Sequence, residues 1–156
     1  LYKIRFEVSI CLFVDRLHMI EILQSKNKGK IIICNSGNFY IAVGKDAVLL
    51  NRILGLKVNC LKLEICKVGF PIIALEKYTD LIQEKGYSYI VYYFDQKTEE
   101  IEILKEYVGK KQNEIKEENI ECSKCPKRFK YFKENDKYGK ALEKLYKKEE
   151  ENNAKI

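Results

Sequence analysis

Apolar positions along this chain alternate in some stretches and recur at helical spacing in others. In residues 2–14, Tyr2, Ile4, Phe6, Val8 and Ile10 fall on one side at period two, which predicts a strand. Residues 16–25 predict a short helix, ended by the polar stretch 25–29. Ile31, Ile32 and Ile33 form a β-branched run, Asn35-Ser36-Gly37 supplies turn chemistry, and residues 38–43 resume as a strand. That order is a hairpin signature. Gly44 breaks the second strand, and Asp46 is placed to cap a helix. Over 47–54, Ala47, Leu50 and Leu54 share one face with Leu49 and Ile53 beside it, and Gly55 stops the turn.

Residues 56–65 alternate again, with Val58 and Cys60 inward, and Val68-Gly69-Phe70-Pro71 reads as a loop. A clearer amphipathic helix spans 72–85. Leu75, Tyr78, Leu81 and Ile82 lie on one face, Glu76, Lys77, Asp80 and Lys85 on the other. Gly86 ends it, and the almost wholly apolar Tyr87–Phe94 suits a central strand covered on both sides. The predicted order is β-β-α-β-α-β, a mixed α/β sheet with helices packed on it.

Charge divides the rest of the chain. Residues 99–121 hold eight acids against four lysines, a net of −4. Residues 122–148 hold ten Lys and Arg against three acids, a net of +7. Both stretches are expected to be helical. Ile101, Leu104 and Val108 form a thin apolar stripe in the first, Leu142, Leu145 and Tyr146 in the second. Three regions result: 1–28, left unassigned because the chain opens on Leu1 and its single Met is Met19; 29–96, the α/β domain; and 97–156, a charged helical extension.

The net charge of +6 is compatible with a polyanionic partner without requiring one. The apolar run Val8–Val14 is far short of the roughly 20 residues a membrane helix needs. Lys3 and Arg5 precede it, but Glu7 intervenes and no small-residue cleavage site follows, so a cytoplasmic, reduced setting is expected. The only histidine is His18, which leaves His-based acid–base or nucleophilic schemes without a partner. Asp95, at the end of the central strand, is the one carboxylate placed where strand ends host chemistry, and no enzymatic activity is expected.

Cys122-Ser123-Lys124-Cys125 offers two of the four ligands that zinc takes. A metal shared between copies, a redox pair and a plain turn with two thiols all remain open for Cys122 and Cys125. The basic stretch interleaves Lys127, Arg128, Lys130 and Lys133 with Phe129, Tyr131 and Phe132. That pattern suits phosphate neutralisation with base stacking, and equally a solvated helix face balancing the acidic stretch.

The segment Gly37-Asn38-Phe39-Tyr40 resembles the Gly-Asp-Phe-Tyr-Glu motif of the MutS N-terminal, mismatch-recognition domain. As in that family, it follows an apolar strand and precedes a helix that opens at Asp46-Ala47. Gly69-Phe70-Pro71-Ile72-Ile73-Ala74-Leu75-Glu76-Lys77-Tyr78 is similar to the family's Gly-Ile-Pro-Tyr-His-Ala-Val-Glu-Asn-Tyr, in the same order. The resemblance covers roughly residues 29–96. It implies that Phe39 matches the ring that stacks on a mispaired base and kinks the duplex. Ile41 stands where the family has the glutamate that hydrogen-bonds that base, and Asn38 replaces the aspartate.

No G-x-x-x-x-G-K-[ST] occurs in the 156 residues, so the ATPase of larger MutS proteins is not expected in this chain. The resemblance implies a DNA-binding module, with RNA as a second candidate ligand. It also suggests an accessory role beside a reverse transcriptase in a diversity-generating retroelement, or beside a larger MutS-type partner. The expected contacts are Phe39, Tyr40 and Asn38 on bases, with Lys127, Arg128, Lys130 and Lys133 on phosphates. Two rival readings are a protein-interaction adaptor that keeps the fold, and a zinc-dependent module built on Cys122 and Cys125. Phe39 and Tyr40 are strand neighbours and must point to opposite faces, so one of them should be exposed.

Overall fold

The computed structural model describes residues 16–60, 66–115 and 137–154. The three isoleucines at 31–33 lie in β1 (Ile31–Ser36), one of the two central strands of a mixed six-stranded sheet. β1 turns through Gly37 and Asn38 into β2 (Phe39–Val43), with Ser36 paired to Phe39. Gly37 has φ +59°, the left-handed conformation that a two-residue hairpin asks of its first loop position. After β2 come α2 (Lys45–Leu54), the short β3 (Asn59–Cys60) and β4 (Cys66–Pro71). A 3₁₀ turn (Ile72–Ala74) leads into α3 (Leu75–Glu84), then β5 (Tyr89–Asp95) and β6 (Glu100–Tyr107). α1 (Arg16–Lys26) precedes β1, and α4 (Lys137–Ala154) closes the described chain.

The strand order is β3-β4-β2-β1-β5-β6, with β5 parallel to β1 and the other pairs antiparallel. Two apolar cores sandwich the sheet. Ile32, Cys34, Ile41, Val43, Ile90, Tyr92 and Phe94 face α1 and α4, which contribute Met19, Ile20, Leu23, Leu142 and Tyr146. Ile31, Ile33, Tyr40, Ala42, Val68, Phe70, Tyr89 and Val91 face α2 and α3, with Leu50 and Ile82 buried against them. β1 and β5 are therefore covered on both sides, as their continuous apolar runs predict.

The mixed α/β fold and the helices at 16–25, 47–54 and 72–85 are found as expected, as is the Leu142, Leu145 and Tyr146 stripe of α4. Four expectations are corrected. Residues 100–107 form an edge strand rather than a helix, because pairing with β5 overrides the Glu- and Lys-rich propensity. Residues 66–71 are a strand rather than a loop, with Gly69 opposite Ile41 and Pro71 at the strand's last position. Between 56 and 65, only Asn59–Cys60 is strand among the described residues. Asp46 does not cap α2: Gly44 is the N-cap, and Asp46 sits fully buried inside the first turn.

Candidate nucleic-acid interface

Strand alternation decides the Phe39 and Tyr40 pair. Tyr40 turns inward and packs beside Phe70, ring centroids 6.1 Å apart. Phe39 turns to the other face and is 50% exposed. It points to the same side of the sheet as Ile41 and Val43, the side that carries α1 and α4. Asn38 is exposed at the hairpin tip, and its carbonyl accepts the Ile72 amide at 3.1 Å. That bond, with the Phe39–Pro71 strand pair, sets the 72–73 corner beside the hairpin. Ile72 and Ile73 are exposed there, Ile73 at 94%, so three large apolar side chains share one sheet end.

The hairpin is anchored at its base. The Asn35 side chain donates to the Phe94 carbonyl at 3.0 Å and accepts the Phe94 amide at 2.7 Å, extending the ladder between β1 and β5. The Arg16 guanidinium donates to the Asn35 carbonyl and lies over both the Phe94 and Tyr138 rings, 5.2 Å from each centroid. Arg16 thus brings a cation to this end of the sheet. Sequence reasoning missed it because it falls in a segment that carries no motif. Lys137 donates to Gln96 at 3.3 Å, so α4 also starts at this end.

Ile41, at the position the resemblance gives to a base-bonding glutamate, is buried in the core under the α1 and α4 layer. An apolar side chain there offers a base no hydrogen bond. Lys127, Arg128, Lys130 and Lys133 lie outside the described residues, as do Cys122 and Cys125. Among the described residues no three His, Cys, Asp or Glu side chains gather as a metal site. The Asp95 carboxylate accepts the Lys97 amide at 2.8 Å and so closes the β5–β6 turn.

A match to MutS domain I spans residues 20–116. The chain belongs to the MutS domain I family. Compared with curated proteins one by one, it finds no match. The MutS domain I match takes in α1 from Ile20 onward and β6, both beyond the 29–96 resemblance, and it ends before α4. Within this MutS domain I chain, no described helix is long and apolar enough to cross a membrane.

The far end of the sheet has a different chemistry. Asp46 Oδ2 accepts Gln24 Nε2 at 2.8 Å and the Ile32 amide at 3.0 Å, and Oδ1 accepts Asn113 Nδ2 at 2.8 Å. Burial pushes its carboxyl above the ordinary range despite these donors. One carboxylate therefore ties α1, β1, α2 and the 111–115 segment together, and its role is to hold the fold. Burial likewise pushes the Cys34 thiol up to about 12, which leaves it un-ionised and unreactive at neutral pH.

Proposed function

We propose that this chain is a non-enzymatic nucleic-acid-binding module in which Phe39 stacks on a base of DNA. The observation that carries this reading is the orientation of the hairpin tip: Phe39 is half exposed while its neighbour Tyr40 is buried. An exposed aromatic ring on an anchored hairpin has little freedom left to lose, and a stacked base contributes about 1–3 kcal/mol. Ile72 and Ile73 extend the apolar ridge, as wedges that part base steps do.

With Ile41 in place of a hydrogen-bonding side chain, preference comes from how cheaply a base leaves the stack. Mispaired and single-stranded bases cost least to unstack, so they are the preferred substrates. Lys127, Arg128, Lys130 and Lys133 supply phosphate contacts.

A gel-shift series with homoduplex, mismatched duplex, single-stranded DNA and RNA tests the reading. Mismatched and single-stranded DNA should shift at lower protein concentration than homoduplex, and Phe39→Ala should weaken every complex. Absence of any shifted complex at low salt removes the assignment.

A second reading, an adaptor for a protein partner such as a reverse transcriptase or a larger MutS-type protein, draws on β6. That strand is a sheet edge, and it and the residue just after it expose Ile103, Leu104 and Val108. Such an adaptor would co-purify with its partner and bind none of the four probes.

A further inference from the structure

α4 lies outside the MutS domain I match, and its charges are segregated along its length. Residues 137–148 carry five lysines and one acid, Glu143, a net of +4; Glu149, Glu150 and Glu151 follow. No acid stands in the first turn and no base in the last. A helix favours acids at its N-terminus and bases at its C-terminus, so this order runs against the macrodipole. Glu143 and Lys147, four residues apart, offset part of that cost, and what the lysines meet beyond the helix depends on where they sit.

Their placement says what. Ala141, Leu142, Leu145 and Tyr146 bury the inner face against the sheet, while Lys140, Lys144, Lys147 and Lys148 are exposed on the outer face. Positions 140, 144 and 147 stack along one side of a helix and span about 10 Å. That length covers about three phosphates of one strand at its ~3.4 Å rise. α4 packs on the sheet face toward which Phe39 points, and it starts at the same sheet end: the Tyr138 ring lies 4.8 Å from that of Phe94, itself clamped to Asn35 of the hairpin. The lysine row thus leads away from the exposed ring along one side of the molecule.

Resting on the base-stacking role of Phe39, we propose that the outer face of α4, through Lys140, Lys144 and Lys147, binds the phosphodiester backbone of the nucleic acid whose base meets Phe39. Three lysines on the opposite layer, Lys57, Lys77 and Lys85, are exposed without forming such a row and serve as the charge-matched control.

The experiment is anisotropy of labelled mismatched DNA over a series of salt concentrations, on the full chain. Each phosphate contact contributes about 0.9 to the slope of log K against log salt. The triple variant Lys140→Gln, Lys144→Gln, Lys147→Gln should lower that slope by about 2–3 and weaken all sequences alike. Lys144→Gln alone should lower it by about one. The triple variant Lys57→Gln, Lys77→Gln, Lys85→Gln should leave it unchanged.

Wild-type slopes in the α4 variants would overturn the proposal, as would an equal fall in the control, which would mean diffuse charge. If Phe39→Ala still weakens binding in that case, the base-stacking role stands and only the α4 track is lost. If wild type binds no DNA, both fall together.

Discussion

The two helical layers on the sheet grip it alike but show solvent different surfaces. α2 and α3 bury Leu50 and Ile82 completely; α1 and α4 bury Leu23 and Leu142 completely. On the outside, α3 mixes Glu76, Asp80 and Glu84 with Lys77, whereas the first twelve residues of α4 carry lysine almost alone. Only the second layer lies on the side toward which the exposed Phe39 ring points. Burial is thus a property of both faces, and the exposed ring and the lysine row of α4 stand on one. The interior shows where the helices must lie; the function is written in what they leave uncovered.

The largest effects should test whether the layers are equal inside. Leu50→Ala and Leu142→Ala should each cost about 2–5 kcal/mol in urea unfolding, the range for a buried leucine that leaves a cavity. A Leu142→Ala loss below about 0.5 kcal/mol, the usual size of a surface change, would make α4 an appendage and end the comparison.

Asp46→Ala strikes the seam between the layers. It strips the acceptors from Gln24, Ile32 and Asn113, and should cost about 3 kcal/mol. Asp46 also gives a pH signature. Its folded-state pKa is raised above the ordinary 3.8, so the folded chain holds that proton more tightly than the unfolded one. The stabilisation is fully present below 3.8 and is lost as pH rises through the raised value. Asp46→Asn should remove that part of the pH dependence, read as the difference between the two urea-midpoint profiles.

The smallest effect concerns the first layer's outer surface. Lys105 of β6 bonds Glu76 at 2.9 Å and Thr79 at 2.8 Å on α3. Burial acts to lower the Lys105 pKa, but Glu76 and the neighbouring Tyr89 and Asp80 outweigh it and the net shift is upward. Because Glu76 is largely exposed, Lys105→Met should cost less than about 1 kcal/mol. A larger loss in thermal unfolding would show that β6 depends on this contact rather than on its pairing with β5.

Much of the fold was legible because periodicity and burial agreed. Leu75, Tyr78 and Ile82 share the inner face of a helix as expected, and the Asn35-Ser36-Gly37 signal located the hairpin, although Asn35 and Ser36 end β1 and the turn itself is Gly37-Asn38. Legibility failed where local chemistry conflicted with pairing. Gly69 and Pro71 look like turn residues, yet Gly69 pairs with Ile41 and Pro71 with Phe39, so strand pairing overrides their local preference. Ile101, Leu104 and Val108 recur at helical spacing, yet β5 recruited that segment as an edge. Asp46 looks like a cap because nothing nearby in sequence announces Gln24 or Asn113 as its partners. At the hairpin, alternation required one exposed ring of two; the resemblance pointed to Phe39, and the fold exposes it and buries Tyr40.

The most direct test of the base-stacking role is a comparison of wild type with Phe39→Ala across a salt series on one mismatched duplex. Stacking is a contact with no ion release, so the substitution should lower affinity by about tenfold at every salt concentration and leave the slope of log K against log salt unaltered. Its unfolding free energy should stay within about 0.5 kcal/mol of wild type, because the ring is half exposed. Equal affinities for the two proteins across the series would contradict the account.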